Sequence, residues 1–412
     1  MFTKPKNKLF YGWVIVIFSG FTTLILTGTR FSFGVFFKPL ANEFDLTRAA
    51  TSSLFSIHMI LCAFFTIAGG WTLDRYGPRL VYLLMGLFTG LSLLLTSQAN
   101  SYWQLFIIYS LLLSIGIAPH LAVMNALVSK WFDKKRGFAI GIAGSIARLG
   151  QVFYAPFCAF LISAYDWRIA YMVMGLIVWF VVIPASRLMK NDPREIGALP
   201  DGAKFITTQL EDEVKEDYLL SGLSLSQALR TKNYWILSFA WLFIATGNML
   251  VWTHVVPYAT DVNITAVKAA TIISVIAVFA IPSGILIGRF SDIKGRIPPL
   301  IIICLFRAVV LVGLIWASEL WMFYVLAISL GISIGGSAVI LVTLNVDIFG
   351  KRNIGVIMGT LDVFASLGCA IGPFLGGLVY DINNSYTVAF IIAATANIIL
   401  VPLVSLIKVK TK

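Results

Sequence analysis

GGWTLDRYGPRL, from Gly69 to Leu80, is answered 218 residues later by IGRFSDIKGRIP, from Ile287 to Pro298. Both copies set one aspartate, one glycine and basic side chains between long apolar runs. Asp74 falls on Asp292 and Gly77 on Gly295. The same offset carries Gly137 to Gly355, Gly141 to Gly359 and Gly150 to Gly368, so four separate stretches stand in one register. A chain that writes this punctuation twice at a fixed distance has two homologous halves.

Composition says where those halves live. Of 412 residues, 59% are hydrophobic and only 12% charged; a water-surrounded domain carries about a quarter charged residues. Apolar runs of about 18 residues or more recur from end to end, each a transmembrane candidate. Read against the charged breaks, they predict twelve spans at about 11–37, 50–72, 79–98, 103–129, 138–163, 168–189, 234–258, 265–288, 298–317, 320–345, 354–378 and 385–407. No small-residue cleavage site follows a short apolar core, so the first run reads as an uncleaved span. The four cysteines all fall inside apolar runs and behave as small hydrophobes.

The fold class expected is therefore an all-α membrane protein of twelve transmembrane helices in two six-helix, pseudo-symmetric bundles. The first bundle takes residues 1–189 and the second 234–412. Between them, residues 190–233 form a polar linker holding eight of the nineteen acids. It ends in a short amphipathic helix announced by Ser224 and Gln227 at capping-box spacing.

Orientation follows from the basic residues. With both termini cytoplasmic, 24 of the 31 Lys and Arg fall inside, and only Lys38, Arg48, Arg168 and Lys268 fall outside. The net charge of +12 is then a topology signal facing anionic lipid, and nucleic acid is not a partner. Two six-helix halves in parallel orientation are a transporter architecture, with a substrate site near the membrane midplane.

The doubled motif resembles the loop between the second and third helices of the major facilitator superfamily, with its second copy between the eighth and ninth. Gly70, Asp74, Arg75, Gly77 and Arg79 match in the first copy; Asp292, Gly295 and Arg296 carry the second. Pro78 stands where a basic residue is usual. The resemblance implies a cytoplasmic gate in which the aspartate pairs with arginine when that side is closed. FYGWVIV, FSFGVFFKPLANEF and WFDKKRGFAIGIAGS are similar, more narrowly, to the monocarboxylate transporters and the bacterial oxalate/formate exchangers. Phe132, Lys134, Lys135, Arg136, Ala139, Gly141 and Ala143 match the fifth-helix signature there, and Ser145 departs from it. In the eleventh span, Gly359, Gly368, Gly372, Pro373, Gly376 and Gly377 fit a close-packing glycine pattern of the superfamily. Ile281 occupies the eighth-span position where carboxylate-carrying relatives place an arginine, so the substrate's counter-charge has to come from elsewhere.

Ionisable groups inside a bilayer each cost at least about 2.5–3.5 kcal/mol and so need a reason. Arg148, about 16 Å beyond Gly137 along a helix, shares a face with Gly137, Gly141, Gly144, Gln151 and Ala155 and is the leading anion-binding candidate. Arg30, on a face with Thr23, Thr27 and Gly34, is the second. His120 suits either an anion contact or proton coupling. Asp362, the one acid expected inside a span, is the main proton-coupling candidate; a fixed ion pair with an arginine is its rival. Arg307, on a peripheral helix, reads as structural. Three arginines against one aspartate make an interior that attracts anions.

The leading expectation is a secondary transporter moving a small organic anion, a monocarboxylate, with a coupled proton by alternating access. An anion exchanger, an exporter of amphipathic compounds and a non-transporting membrane sensor are the alternatives. No P-loop, nucleophile elbow or metal-spaced cluster occurs, so neither an enzyme, a cofactor nor a metal is expected. The chain is taken as a monomer in a plasma membrane, a bacterial inner membrane being the leading choice.

Overall fold

The computed structural model describes residues 10–132, 135–196, 222–350 and 353–407. Among them, twelve helices are long and apolar enough to cross a membrane. The first six are Tyr11–Phe31, Arg48–Tyr76, Pro78–Thr96, Tyr102–Trp131, Arg136–Ala164 and Trp167–Ser186. The second six are Lys232–Asp261, Ala266–Lys294, Ile297–Trp316, Leu320–Phe349, Ile354–Asn383 and Thr387–Ser405. They are numbered below as spans one to twelve. Among the described residues there is no β-strand, only an isolated bridge between Gly222 and Gly350.

Spans two, seven, eight, ten and eleven overrun their expected ends by about a turn or more, while span one ends six residues short of its expected end, at Phe31. Asp74, Asp261, Asp292, Asp347 and Asp381 consequently lie on the closing turns of helices and not in loops. Asp362 is thus not the only acid on a span, although it is the one far from a helix end. Leu225–Leu229 forms the short helix before span seven. Its Ser224 hydroxyl accepts from the Gln227 N–H, and the Gln227 amide oxygen accepts from the Ser224 N–H, the reciprocal cap its spacing calls for. Lys134 and linker residues 197–221 lie outside the described residues.

The 218-residue register extends from motifs to whole elements. Span two maps end for end onto span eight, and span four onto span ten. Packing repeats with it. A methyl on Gly150 would collide with the Leu24 carbonyl, and one on Gly368 with the Leu242 carbonyl, again 218 residues on. Small residues that let backbones touch are how membrane helices associate without a hydrophobic drive. Gly372 meets the Thr246 carbonyl, Gly376 meets His254, and Gly377 meets the Arg48 carbonyl, so the eleventh-span glycines are packing surfaces.

By its contacts the chain forms two compact units. One comprises Met1–Arg30, Leu61–Tyr154 and Arg168–Thr207; the other comprises Phe31–Ile60, Ala155–Trp167 and Thr208–Lys412. In the first, Phe10 and Trp13 pack edge to face on Phe132, Phe10 and Tyr11 lie tilted against Trp131, and the Tyr11 hydroxyl donates to the Leu188 carbonyl at 2.8 Å. In the second, Tyr234, Leu237, Leu300, Ile340, Leu344 and Phe349 centre a fully buried cluster. Arg307, 1% exposed, ties span nine to span ten there: it donates to the Ser333 hydroxyl, the Ser333 carbonyl and the Ser337 hydroxyl at 3.1, 2.8 and 2.8 Å. That is a structural duty.

Candidate functional site

In the first unit, span four is irregular where its counterpart is not. It runs α-helical at Tyr102–Leu105, π-helical at Phe106–Leu112 and α-helical again at Leu113–Ile117, then breaks before His120–Trp131. Pro119 causes the break, lacking an N–H and clashing with the preceding turn. Side chains take up carbonyls around it: Thr66 donates to the Ala118 carbonyl at 3.1 Å, and His120 Nδ1 lies 2.6 Å from that of Ile117. Pro119 also fills the space left by Gly69, so of the motif's glycine pair Gly69 is the packing residue while Gly70 faces open space.

His120 is 1% exposed and fully engaged. With Nδ1–H donating to Ile117, Nε2 accepts from the Thr27 hydroxyl at 3.2 Å. It therefore clamps span four to span one, one turn before Arg30. The Arg30 charge lies within electrostatic range of His120, Cys62 and Tyr109. Arg30 and His120, chosen separately from sequence, thus belong to one polar cluster. Span one ends at Phe31 and resumes at Phe33–Glu43, so Arg30 sits directly beside a helix break.

Arg148 lies mid-way along span five in the same unit. Its side chain is accessible, and no ion pair or hydrogen bond joins it to another described residue. Gly137, Gly141 and Gly144, on its face, have nothing within 4 Å of where a Cβ would stand. The opposite edge of the helix carries the packing glycine, Gly150. In the second unit Asp362 is exposed and has an interaction partner; Gly355 and Gly359 beside it face open space.

The two motif copies differ. In both, the glycine takes a left-handed conformation, φ 81° at Gly77 and 83° at Gly295, where any other residue would be strained. In the second copy Arg296 pairs with Asp292, reaches Asp347 at 3.1 Å and donates to the Ser291 hydroxyl at 2.7 Å. Partial burial draws that guanidinium's pKa down, but the hydrogen bonds to Asp347 and Asp292 outweigh it and hold it above its ordinary value. In the first copy Asp74 makes no ion pair among the described residues. Arg75 lies 5.4 and 5.6 Å from the ring centres of Trp71 and Tyr76, and Arg79 donates to the Met189 carbonyl at 3.2 Å. Asp74, Arg75 and Arg79 line a cavity of about 320 Å³ with Asn191 and Glu195.

A further cluster in the second unit escaped the sequence reading. Arg48, at the start of span two, pairs with Asp261, at the end of span seven, at 2.8 Å; Lys38 pairs with the same carboxylate at 2.7 Å. Asp381 of span eleven accepts the Arg48 and Ala49 backbone N–H groups at 2.9 and 2.7 Å, capping span two from another helix. The guanidinium stacks 3.5 Å from the Tyr380 ring centre and donates to the Tyr386 hydroxyl. Tyr386 in turn donates to His254 Nδ1 at 3.1 Å, leaving Nε2–H to donate to the Pro373 carbonyl at 2.8 Å. Burial lifts the Tyr386 phenol above its ordinary pKa with Arg48 opposing, which keeps it a neutral donor in this chain. The available signal was that Lys38 and Arg48 were exceptions to the basic-residue count.

These features bear comparison with known proteins. The Major Facilitator Superfamily model matches residues 19–320 and 308–412, and the chain belongs to that superfamily. Monocarboxylate transporter 13 of Bos taurus is 24% identical, over 93% of this chain and 86% of its own. Monocarboxylate transporter 12 of Homo sapiens is 23% identical over 93% and 77%, and monocarboxylate transporter 4 of Rattus norvegicus 25% identical over 93% and 80%. Among solved structures, a bacterial homologue of the human lysosomal transporter Spinster, inward-facing and unoccupied, shares the fold. Its TM-score is 0.72 at 16% identity, covering 97% of this chain and 96% of that one.

Proposed function

We propose that this transporter-family protein carries a small organic anion, a monocarboxylate, together with a proton by alternating access. The observation that carries the reading is Arg148: a mid-span guanidinium on an open glycine face, with no described partner. A charge left unpaired inside a membrane is retained for function, and a planar guanidinium suits a carboxylate. The names of the relatives agree. Arg30, positioned by His120 through Thr27, supplies a second positive group. Asp362 is the proton carrier in this reading, its carboxylate being the acid farthest from any helix end.

Gating follows from the two charged regions. By the positive-inside count the doubled motif faces the cytoplasm and the Arg48 cluster faces outward. In this reading the Arg48, Lys38, Asp261 and Asp381 contacts are outer-gate contacts, and each motif copy is a cytoplasmic gate element: Gly70, Asp74, Arg75, Gly77 and Arg79 in the first, Asp292, Gly295 and Arg296 in the second. Three of the four outward basic residues are neutralised or engaged, Arg168 by the Ser97 and Ala99 carbonyls at 3.2 and 2.8 Å. The membrane is read as a bacterial inner membrane, with both termini inside.

The test is uptake of labelled carboxylates into proteoliposomes under an imposed pH gradient. Wild-type protein accumulates substrate uphill, and Asp362→Asn equilibrates it without accumulation. Uptake indifferent to the gradient in wild-type protein defeats proton coupling; full uptake by Arg148→Ala defeats the anion site.

A further inference from the structure

Spans seven, ten and eleven line a half-open cavity of about 190 Å³ within the second unit. Its walls are almost entirely apolar, with Met249, Ala338, Leu341 and Ala365 among them. One hydrogen-bonding group on the wall is unspent: the Asn248 amide, which makes no side-chain hydrogen bond among the described residues. The Trp241 indole N–H also lacks a partner among the described residues, but its nitrogen is buried out of reach of the cavity's contents. A ligand carrying a hydrogen-bonding group satisfies the Asn248 amide while it fills the space.

The 218-residue register says what kind of ligand. It sets Asn248 opposite Arg30, Ala338 opposite His120 and Ser366 opposite Arg148. Arg30, His120 and Arg148 of the first half each face an uncharged residue at their register position in the second. The second half is therefore unsuited to the anionic group and well suited to an uncharged one. A dry apolar cavity of about 150 Å³ accepts a benzene ring, so the present one has room for a ring with a small substituent.

We propose that this pocket is the subsite for the apolar body of the carried acid. The substrate has a side group of phenyl bulk bearing one hydrogen-bonding group, which the Asn248 amide meets; a two- or three-carbon acid leaves the pocket empty. This rests on the organic-anion reading given above.

Proteoliposome uptake of labelled acetate, lactate, phenylacetate and 4-hydroxyphenylacetate tests it. Wild-type protein prefers the aromatic acids over acetate in kcat/KM by roughly ten-fold or more, the discrimination expected of a fitted apolar pocket. Ala338→Leu fills the space and collapses that preference by about ten-fold. Asn248→Leu keeps the bulk and loses the amide, erasing the preference for 4-hydroxyphenylacetate over phenylacetate. Met249→Ala enlarges the pocket and shifts preference toward 1-naphthylacetate, an opposite change that a folding defect does not mimic. A wild-type carrier that moves acetate and lactate as well as aromatic acids overturns this inference alone, as does an Ala338→Leu protein with unaltered preference. A carrier that moves none of these carboxylates overturns it together with the reading it rests on.

Discussion

The two halves share one ruler and differ in what they hang on it. Spans one and four are broken, at Ser32 and Pro119, and those breaks adjoin Arg30 and His120. Their counterparts, spans seven and ten, run unbroken for 30 residues each and carry Asn248 and Ala338 in the same register. Interrupted helices offer unwound backbone and helix ends to polar groups, and transporters use them at binding sites. Continuous helices present only side chains. At these registers the first half carries Arg30, His120 and Arg148 and the second carries Asn248, Ala338 and Ser366. The shared frame is that of a duplication, and the halves diverge at a few positions of it.

Making the halves alike is the sharpest way to break this comparison. Arg148→Ser installs in the first half the residue that the second carries at Ser366. A charge-assisted bond is worth about 1.5–3 kcal/mol, so carboxylate uptake falls on the order of ten- to a hundred-fold. Labelled uptake measures it, and an unchanged rate shows that the asymmetry is decorative. Next come the features the halves share. Gly150→Leu and Gly368→Leu each force a side chain against a carbonyl of the facing helix, costing about 1–3 kcal/mol or more. Equal falls in the thermal midpoint of the purified variants are expected; a large fall in one and none in the other denies that the two crossings are equivalent.

The Arg48 cluster has no twin, because the register puts Ala266 opposite Arg48 and Ser163 opposite Asp381. Asp261→Asn leaves Arg48 and Lys38 short of their carboxylate, with side chains only 15% and 32% exposed. A loss of about 1–3 kcal/mol follows, below that of a fully buried pair because solvent screens part of it. Denaturation midpoints read it, and Ala266→Gln serves as the silent control. The smallest effect separates the motif copies. Asp347→Asn costs under about 1 kcal/mol, since Arg296 keeps Asp292 and that pair is solvent-screened. Asp74→Asn leaves stability unchanged, there being no described ion pair to lose, and differential scanning of the two variants side by side checks the contrast.

Much of this was legible in the chain. Twelve spans, the doubled motif and its offset follow from hydropathy and glycine spacing, because a bilayer forces long apolar helices and close crossings force small residues. The positions of Arg148 and Asp362 are equally plain, since an ionisable residue in an apolar run stands out. What the sequence withheld was partnership. Arg48 meets Asp261 and Asp381 across more than two hundred residues, and nothing local to any of them announces it. His120 looked free to titrate until the Pro119 break supplied the Ile117 carbonyl and the fold supplied Thr27. Gly69 and Gly70 are indistinguishable by type, and only the neighbouring Pro119 tells them apart.

Asp381 grips two consecutive amides with its two oxygens while Arg48, the first of those residues, holds Asp261, Tyr380 and Tyr386 with its side chain. One residue's backbone and side chain are thus fastened to two other helices, spans seven and eleven, and to the turn between spans eleven and twelve. A shift of an ångström along span two would strain every attachment together, so these contacts are expected to part jointly and not one by one.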